Sequence, residues 1–451
     1  MKLIFSSQLA RISALYLFFL SLQRGKNELA LDLTFQVPSI IRIIIPIFLI
    51  ISIALAVTVL YKSESKNLHL KVSSVLKSSI LFIFFNLLIS LPLLLRYFSY
   101  EAPAKLIHKI FRVSYINPIF ADLQTIKDGI ICSSVKQVGD LINCNIENGY
   151  REWNYPSVLL NLDSLVRILS SNLIIFLLII LMTNIMIYQL TDKLDLKIKI
   201  ISIFIFCSPA FILVFNRLNF DIFILMLLFF GYRLLAKPTT FIFGMTCIAF
   251  ASLLKFYCIV IFIYLLFSRK LWRQRFLIFT MMALTTLAIL PDLFNSNKAI
   301  GKDIKGSVGL SVITSRLSGD SIANFKFNAL LIYILIFIIL NSILIFKQCQ
   351  KNKLFNSINL NEFLFFAFPF LISWILVSNY YYRLILLTPA IILLFKQSST
   401  FLFKEIGILS IFSLYSSPNI VGTLQNFLLL PIICLTLVFL YHEFIYERFL
   451  V

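Results

Sequence analysis

Long apolar segments recur along the whole of this 451-residue sequence and constrain its fold more than any other feature. Apolar segments of about 17–25 residues can cross the ~30 Å hydrocarbon core of a bilayer as α-helices. Hydrophobic residues make up 60% of the chain and charged residues only 13%, whereas an average soluble domain has about 25% charged residues. The sequence therefore predicts an all-α fold, a polytopic bundle of transmembrane helices.

The apolar segments predict about 12–14 membrane spans. They cover residues 4–22, 39–61, 76–98, 171–190, 198–215, 219–235, 239–253, 256–268, 276–292, 328–346, 361–378, 384–396, 405–418 and 426–444. We divide the chain into N-terminal accessory membrane segments (1–75), a membrane core (76–400) that includes a long loop (99–169), and C-terminal transmembrane helices (401–451).

The net charge of +20 follows a membrane pattern rather than a nucleic-acid-binding one. Lys and Arg concentrate in short connections, such as those after spans 171–190 and 256–268, and such connections are typically cytoplasmic. Alternation then places the loop at 99–169 and the other intervening connections on the extracytoplasmic side. This assignment requires residues 239–268 to form two segments that meet near Lys255.

Several polar residues stand near predicted span ends on that same side. They are Asp122, Arg217, Asn219, Asp221, Lys255, Tyr381, Tyr382 and Arg383. Ionisable side chains at membrane depth are costly unless they are paired or hydrated, and they usually mark a functional cavity. Their shared side predicts one cavity that faces outward.

Two features of the long loop have alternative interpretations. Asp122 can act as a general base or cap a short helix. Cys132 and Cys144 can form a disulfide on an oxidising side of the membrane, while the other five cysteines behave as small apolar residues. The three histidines are scattered, so we predict no metal site.

The cations also have two interpretations each. Arg217 can bind a phosphate through paired hydrogen bonds, or it can form an ion pair with Asp221 one helical turn away. Lys255 can bind a lipid-linked phosphate or extend its ammonium to the membrane surface. Tyr381 and Tyr382, before Arg383, are either interfacial aromatic residues or part of a site.

The order of these motifs resembles a known family. The motifs are Asp122, then Asn154-Tyr155-Pro156, Arg217-x-Asn219-x-Asp221, Lys255-Phe256-Tyr257, and Tyr381-Tyr382-Arg383. Together they resemble the polyprenyl-phosphate-dependent glycosyltransferases of the GT-C fold, especially glycosyltransferase family 87. The resemblance covers roughly residues 76–400.

The resemblance implies an inverting, metal-independent transfer of a hexose, with mannose as the first candidate. The donor would be a polyprenyl-phosphate sugar, and the acceptor a glycolipid or glycan on the extracytoplasmic face of a bacterial plasma membrane. Asp122 would be the general base. Lys255, Arg217 and Arg383 would bind the donor phosphate. The substrate-binding residues would be Trp153, Asn154, Tyr155, Asn219, Asp221, Tyr257, Tyr381 and Tyr382.

Two other functions fit a many-spanning membrane protein. One is a ligase or polymerase of surface polysaccharide, for which more arginines in the outer loops would be expected. The other is a transporter or flippase of a lipid-linked substrate, for which internal repeats with paired broken helices would be expected. The sequence has no Gly-rich phosphate loop or dinucleotide fingerprint, so we predict no cofactor. No basic stripe lies on a soluble domain, so we predict no nucleic-acid partner.

Overall fold

The computed structural model of the protein is almost entirely helical. It describes residues 85–90, 93, 96, 102, 105, 120–135, 172–191, 194–295, 307–308, 325–352, 354–356, 359–376, 379–396, 400–415 and 418–446. The predicted spans 4–22 and 39–61, most of 76–98 and most of the long loop lie outside the described residues.

The α-helices largely follow the predicted apolar segments. They are α1 (Ala121–Val135), α2 (Asn172–Thr191), α3 (Leu196–Phe206), α4 (Pro209–Arg217), α5 (Phe220–Leu235), α6 (Phe241–Leu254), α7 (Val260–Phe267), α8 (Arg275–Asn295), α9 (Phe325–Lys351), α10 (Leu360–Leu376), α11 (Thr388–Lys396), α12 (Phe401–Tyr415) and α13 (Pro418–Tyr441). Helix α1 lies within the predicted long loop rather than in a predicted span. Short 3-10 helices include Phe256–Ile259, which leads into α7, and Tyr381–Leu387, which leads into α11.

A few of these helices are long and apolar enough to cross a membrane. Two described segments meet that length and composition, Ile334–Lys351 and Leu428–Tyr446, and the bent pair α3 and α4 adds a third if it forms one span. Only 17% of Ile334–Lys351 is buried against the rest of the protein. A large exposed apolar surface of this kind is typical of contact with lipid or with another protein.

The predicted single span 198–215 is wrong as a continuous helix. Helix α3 ends at Phe206 and α4 begins at Pro209, and the two helices are bent by 46°. Pro209 is the first residue of α4, where its missing N–H and fixed φ favour a helix start. The same proline cannot continue α3, because its ring would clash with the carbonyl of the preceding turn.

The predicted break near Lys255 is confirmed. Helix α6 ends at Leu254, and Lys255 has an extended backbone (φ −151°, ψ 115°). The chain then continues as a 3-10 helix before α7 begins. Two helical segments therefore meet at a lysine within an otherwise apolar stretch.

Small residues allow the helices to pack closely. A Cβ on Gly244 of α6 would lie 2.9 Å from the carbonyl oxygen of Gly231 in α5 and 2.9 Å from the backbone nitrogen of Leu235. Backbone atoms cannot move aside easily, so this crossing requires glycine. The last two helices pack against the preceding ones: α13 contacts α9 and α10, and α12 contacts α11.

One short strand pair departs from the all-α prediction. Strand β1 (Ser307–Val308) pairs antiparallel with β2 (Asn379–Tyr380), with Ser307 opposite Tyr380. The two strands lie in the predicted connections at 293–327 and 379–383. This pairing brings the two connections together.

Candidate functional site

The turn between α4 and α5 positions the first functional side chains. Leu218 ends α4 in the left-handed conformation (φ 49°) and turns the chain sharply. Asn219 is the N-cap of α5, and its side-chain oxygen accepts a hydrogen bond from the backbone N–H of Asp221 at 2.9 Å. Arg217, Asn219 and Asp221 therefore sit at adjoining helix ends, with a defined orientation.

Asp122 lies against this turn. Phe120, also in the left-handed conformation (φ 62°), donates its backbone N–H to the carbonyl oxygen of Asn216 at 3.0 Å, just before α1 begins. Asp122 is in the first turn of α1 and is only 3% exposed. The Phe120 contact thus brings the start of α1 to the end of α4.

The Asp122 carboxylate is bound by two side chains. Arg217 donates from Nε to Oδ2 at 2.8 Å and from Nη2 to Oδ1 at 2.6 Å. Asn219 donates from Nδ2 to Oδ2 at 2.5 Å. A bidentate Arg–carboxylate pair fixes both charge and geometry. Oδ2 thus accepts two of these hydrogen bonds and Oδ1 accepts one.

The alternative ion pair between Arg217 and Asp221 is wrong. That prediction assumed that both residues lie on one continuous helix, one turn apart. Leu218 ends α4 between them, so Asp221 belongs to a different helix. Arg217 pairs with Asp122 instead, 95 residues away in the sequence.

Asp221 contacts a second group of side chains. The hydroxyl of Tyr257 donates to Asp221 Oδ1 at 2.7 Å. Arg383 Nε lies 3.5 Å from Asp221 Oδ2, and the Arg383 guanidinium lies over the Tyr257 ring, 5.4 Å from its centroid. Cations favour the face of an aromatic ring, so Tyr257 holds both Asp221 and Arg383.

Lys255 joins the two groups at the break between α6 and α7. Its ammonium interacts electrostatically with Arg383, Asp221 and Asp122. The backbone at Lys255 is extended, and the residue lies between the end of α6 and the 3-10 helix that follows. The predicted cations and carboxylates are therefore brought together from four separate parts of the chain.

These ionisable residues form a charged cluster, defined here as Asp122, Arg217, Asp221, Lys255 and Arg383. Three cations face two carboxylates, which leaves one net positive charge. Charge buried among helices needs a counter-charge. Within the described residues, the cluster has the composition of a site for an anion.

Arg96 was missed by the sequence analysis. It is 6% exposed, and it donates a hydrogen bond from Nη1 to Oδ1 of Asn216, the residue before Arg217. Its position near the end of the predicted span 76–98 was a signal for a membrane-depth cation. Arg96 adds a further positive charge beside the turn that carries Arg217.

Asp128, further along α1, has a different environment from Asp122. It accepts a hydrogen bond from Gln124 Nε2 at 2.8 Å. Burial raises the pKa of Asp128, an effect that the Gln124 hydrogen bond and the Lys127 charge oppose. In the part of the chain that the structure describes, no group of three or more His, Cys, Asp or Glu could hold a metal ion.

The remaining predicted residues are described only in part. Trp153, Asn154, Tyr155 and Cys144 lie outside the described residues, and Cys132 is described only as part of the α1 backbone. Tyr381 and Tyr382 begin the 3-10 helix that also carries Arg383, and their backbone alone is described. The predicted disulfide stays a prediction.

Comparisons with known proteins find no relative. No protein-family model matches the chain, and no curated protein or solved structure matches it. The function is therefore inferred from the charged cluster and its surroundings.

Proposed function

We propose that the protein is an integral membrane glycosyltransferase that uses a polyprenyl-phosphate sugar as donor. It transfers a hexose, with mannose as the first candidate, to a glycolipid or glycan acceptor. The observation that carries the proposal is the excess of cations in the charged cluster. A lipid-linked phosphate is an anion that reaches helix ends near a membrane surface, where it would meet these cations.

The helical architecture supports a membrane setting for this chemistry. Segment Ile334–Lys351 is apolar and mostly exposed, as expected for contact with lipid. We extend this to a polytopic bundle of the GT-C type with its active site on the extracytoplasmic side of a bacterial plasma membrane. The motif order from Asp122 to Arg383 supports that extension, since it resembles the order of motifs in glycosyltransferase family 87.

The cations would bind and stabilise the leaving phosphate. These cations are Lys255, Arg217 and Arg383, the three positive side chains of the charged cluster. Positive groups aimed at a developing negative charge stabilise the transition state in a site that excludes water. As the bond between the anomeric carbon and the phosphate oxygen breaks, the phosphate keeps the electron pair and these cations neutralise it.

Asp122 would accept the proton of the acceptor hydroxyl. The hydroxyl oxygen attacks the anomeric carbon from the face opposite the phosphate, through an oxocarbenium-like transition state, so the product is inverted.

The test is transfer of a radiolabelled sugar in membranes that contain the wild type or Asp122→Asn. A small panel of polyprenyl-phosphate hexoses serves as donors. A positioned general base contributes about 10²–10⁴-fold to a rate, so Asp122→Asn should lose at least about a hundredfold of the transfer. Glu362→Gln is the matched control, because it neutralises a carboxylate at the other end of the helices and should retain activity.

Each outcome separates the parts of the proposal. Transfer by the wild type and by Glu362→Gln, with none by Asp122→Asn at equal protein level, supports both the activity and the base. Equal transfer by Asp122→Asn would remove Asp122 from the mechanism. No transfer from any donor by folded wild type would argue for a ligase or a transporter instead.

A further inference from the structure

The two oxygens of the Asp221 carboxylate differ in how they are satisfied. Oδ1 accepts a hydrogen bond from the Tyr257 hydroxyl. Oδ2 is 3.5 Å from Arg383 Nε and accepts no hydrogen bond from the described residues. The side chain is only 1% exposed. Buried carboxylate oxygens normally accept hydrogen bonds, so this one calls for an explanation.

The surroundings of Oδ2 restrict what can bind to it. A phosphate is excluded because both groups are anionic. A cationic ligand is disfavoured because Arg383 and Lys255 already interact electrostatically with this carboxylate. A neutral donor remains, and a sugar hydroxyl fits because it can donate to Oδ2 and also accept a hydrogen bond from a neighbouring guanidinium.

We propose that Asp221 Oδ2 accepts a hydrogen bond from a hydroxyl of the sugar carried by the donor lipid. This inference rests on the proposed function and assigns a role that the phosphate-binding cations and Asp122 do not fill. The lipid phosphate would lie with the cations, and the sugar would extend to Asp221. Asp221 is then a specificity-determining residue, which selects a sugar that has a hydroxyl at one position.

The geometry of the cluster supports two separate tasks for its two carboxylates. Asp122 is bound through both oxygens by Arg217 and Asn219. Asp221 is fixed on one oxygen by Tyr257, which leaves the other oxygen directed to the Arg383 side of the cluster. A carboxylate held on one side only can recognise a hydroxyl without losing its orientation.

The experiment measures binding by the full-length protein in detergent. The probes are bare polyprenyl phosphate, polyprenyl-phosphate mannose, polyprenyl-phosphate glucose, and the monodeoxy forms of the sugar that binds more tightly. A hydrogen bond to a charged group corresponds to about tenfold or more in affinity. The wild type should bind the best sugar-bearing lipid about tenfold more tightly than bare polyprenyl phosphate, and one monodeoxy form should lose that advantage.

The variant Asp221→Asn is tested against the same lipids, so that a change in the protein is combined with a change in the ligand as in a double-mutant cycle. It should lose the advantage of the sugar-bearing lipid and become insensitive to the critical deoxy position. Its affinity for bare polyprenyl phosphate should be unchanged or higher, because a negative charge near Arg383 has been removed. Tyr257→Phe is the control, since it removes the hydrogen bond to Oδ1 and leaves Oδ2 in place, so it should stay sensitive to the deoxy position.

Several results would overturn the inference. One is equal binding of all monodeoxy forms by the wild type, a measurement that needs no variant to fold. Another is the same deoxy effect in Asp221→Asn as in the wild type, which would place the hydroxyl elsewhere. A parallel loss of bare and sugar-bearing lipid in Asp221→Asn would reduce Asp221 to a positioning residue. Failure of the wild type to bind even bare polyprenyl phosphate would reject the proposed function and this inference together.

Discussion

The polar groups at the two ends of helices α5 and α10 differ in their balance of charges and hydrogen bonds. Helix α5 carries Asp221 in its first turn and Arg233 in its last turn, about 18 Å apart at ~1.5 Å per residue. Helix α10 begins near Glu362, and the segment after its end carries Arg383. The charged cluster lies at one end of these helices, and a second cluster around Glu362 lies at the other.

The Glu362 cluster is defined here as Arg233, Asn359, Asn361, Glu362 and Tyr264. Its contacts stabilise the fold. Asn359 accepts a hydrogen bond from the backbone N–H of Glu362, as a helix cap does. Tyr264 donates to the side-chain oxygen of Asn361 at 2.8 Å. Arg233 and Glu362 are 3.7 Å apart, and the Arg233 side chain is 42% exposed.

The comparison contrasts polar groups that stabilise the fold with those that we propose bind a ligand. One cation faces one carboxylate in the Glu362 cluster, and its amides cap or receive hydrogen bonds. The charged cluster has an extra cation and a carboxylate oxygen that accepts no hydrogen bond from the described residues. Substitutions in the charged cluster should therefore change function, whereas substitutions in the Glu362 cluster should change stability.

The largest effect on function in this comparison is expected from Lys255→Ala. Removing an ammonium that binds a phosphate should lower the affinity for polyprenyl phosphate by about 10–100-fold, the size of one hydrogen bond to a charged group. Lys237→Ala, at an exposed position between α5 and α6, is the matched control. Unchanged lipid binding by Lys255→Ala would remove Lys255 from phosphate binding.

The second-largest effect, a loss of stability, is expected from Gly244→Ala. The added Cβ would meet the backbone of α5 at 2.9 Å, and overpacking typically costs about 1–3 kcal/mol. We expect a lower melting temperature in detergent, with normal lipid binding per folded molecule. Ile242→Ala on the same helix is the control, because Ile242 is 61% exposed. A Gly244→Ala protein with wild-type stability would contradict the close crossing of α5 and α6.

The smallest effect is expected from a matched pair of tyrosines. Tyr257→Phe removes one hydrogen bond to Asp221, worth about 1 kcal/mol, so transfer should fall about fivefold at equal folded protein. Tyr264→Phe removes a comparable hydrogen bond at the opposite end and should leave transfer per folded molecule unchanged. Equal loss of transfer in both variants would contradict the functional difference between the charged cluster and the Glu362 cluster.

The helices could be predicted well from the sequence, but their breaks only in part. Continuous apolar segments are a local signal, so most helix positions followed from them. The break at Lys255 followed from the charges on either side of 239–268. The break before Pro209 was missed, because the apolar pattern continues through residues 198–215 and hides a proline that starts a new helix.

The partners of the candidate site residues could not be predicted. Asp122 and Arg217 are distant in sequence, and their contact depends on two left-handed residues, Phe120 and Leu218. Bulky apolar residues seldom adopt that conformation, so the sequence pattern did not predict it. Arg96 had a visible signal, a charge near a span end, but its partner Asn216 lies in a distant helix.

The break at Lys255 also affects how the chain enters a bilayer during synthesis. Helix α6 has 14 residues and α7 has 8, so at ~1.5 Å per residue they measure about 21 Å and 12 Å. Neither length alone crosses ~30 Å of hydrocarbon. If the two halves enter a bilayer, neither is long enough to be inserted as a span of its own. We then expect their entry to depend on α5, which is synthesised first and packs closely against α6 at Gly231.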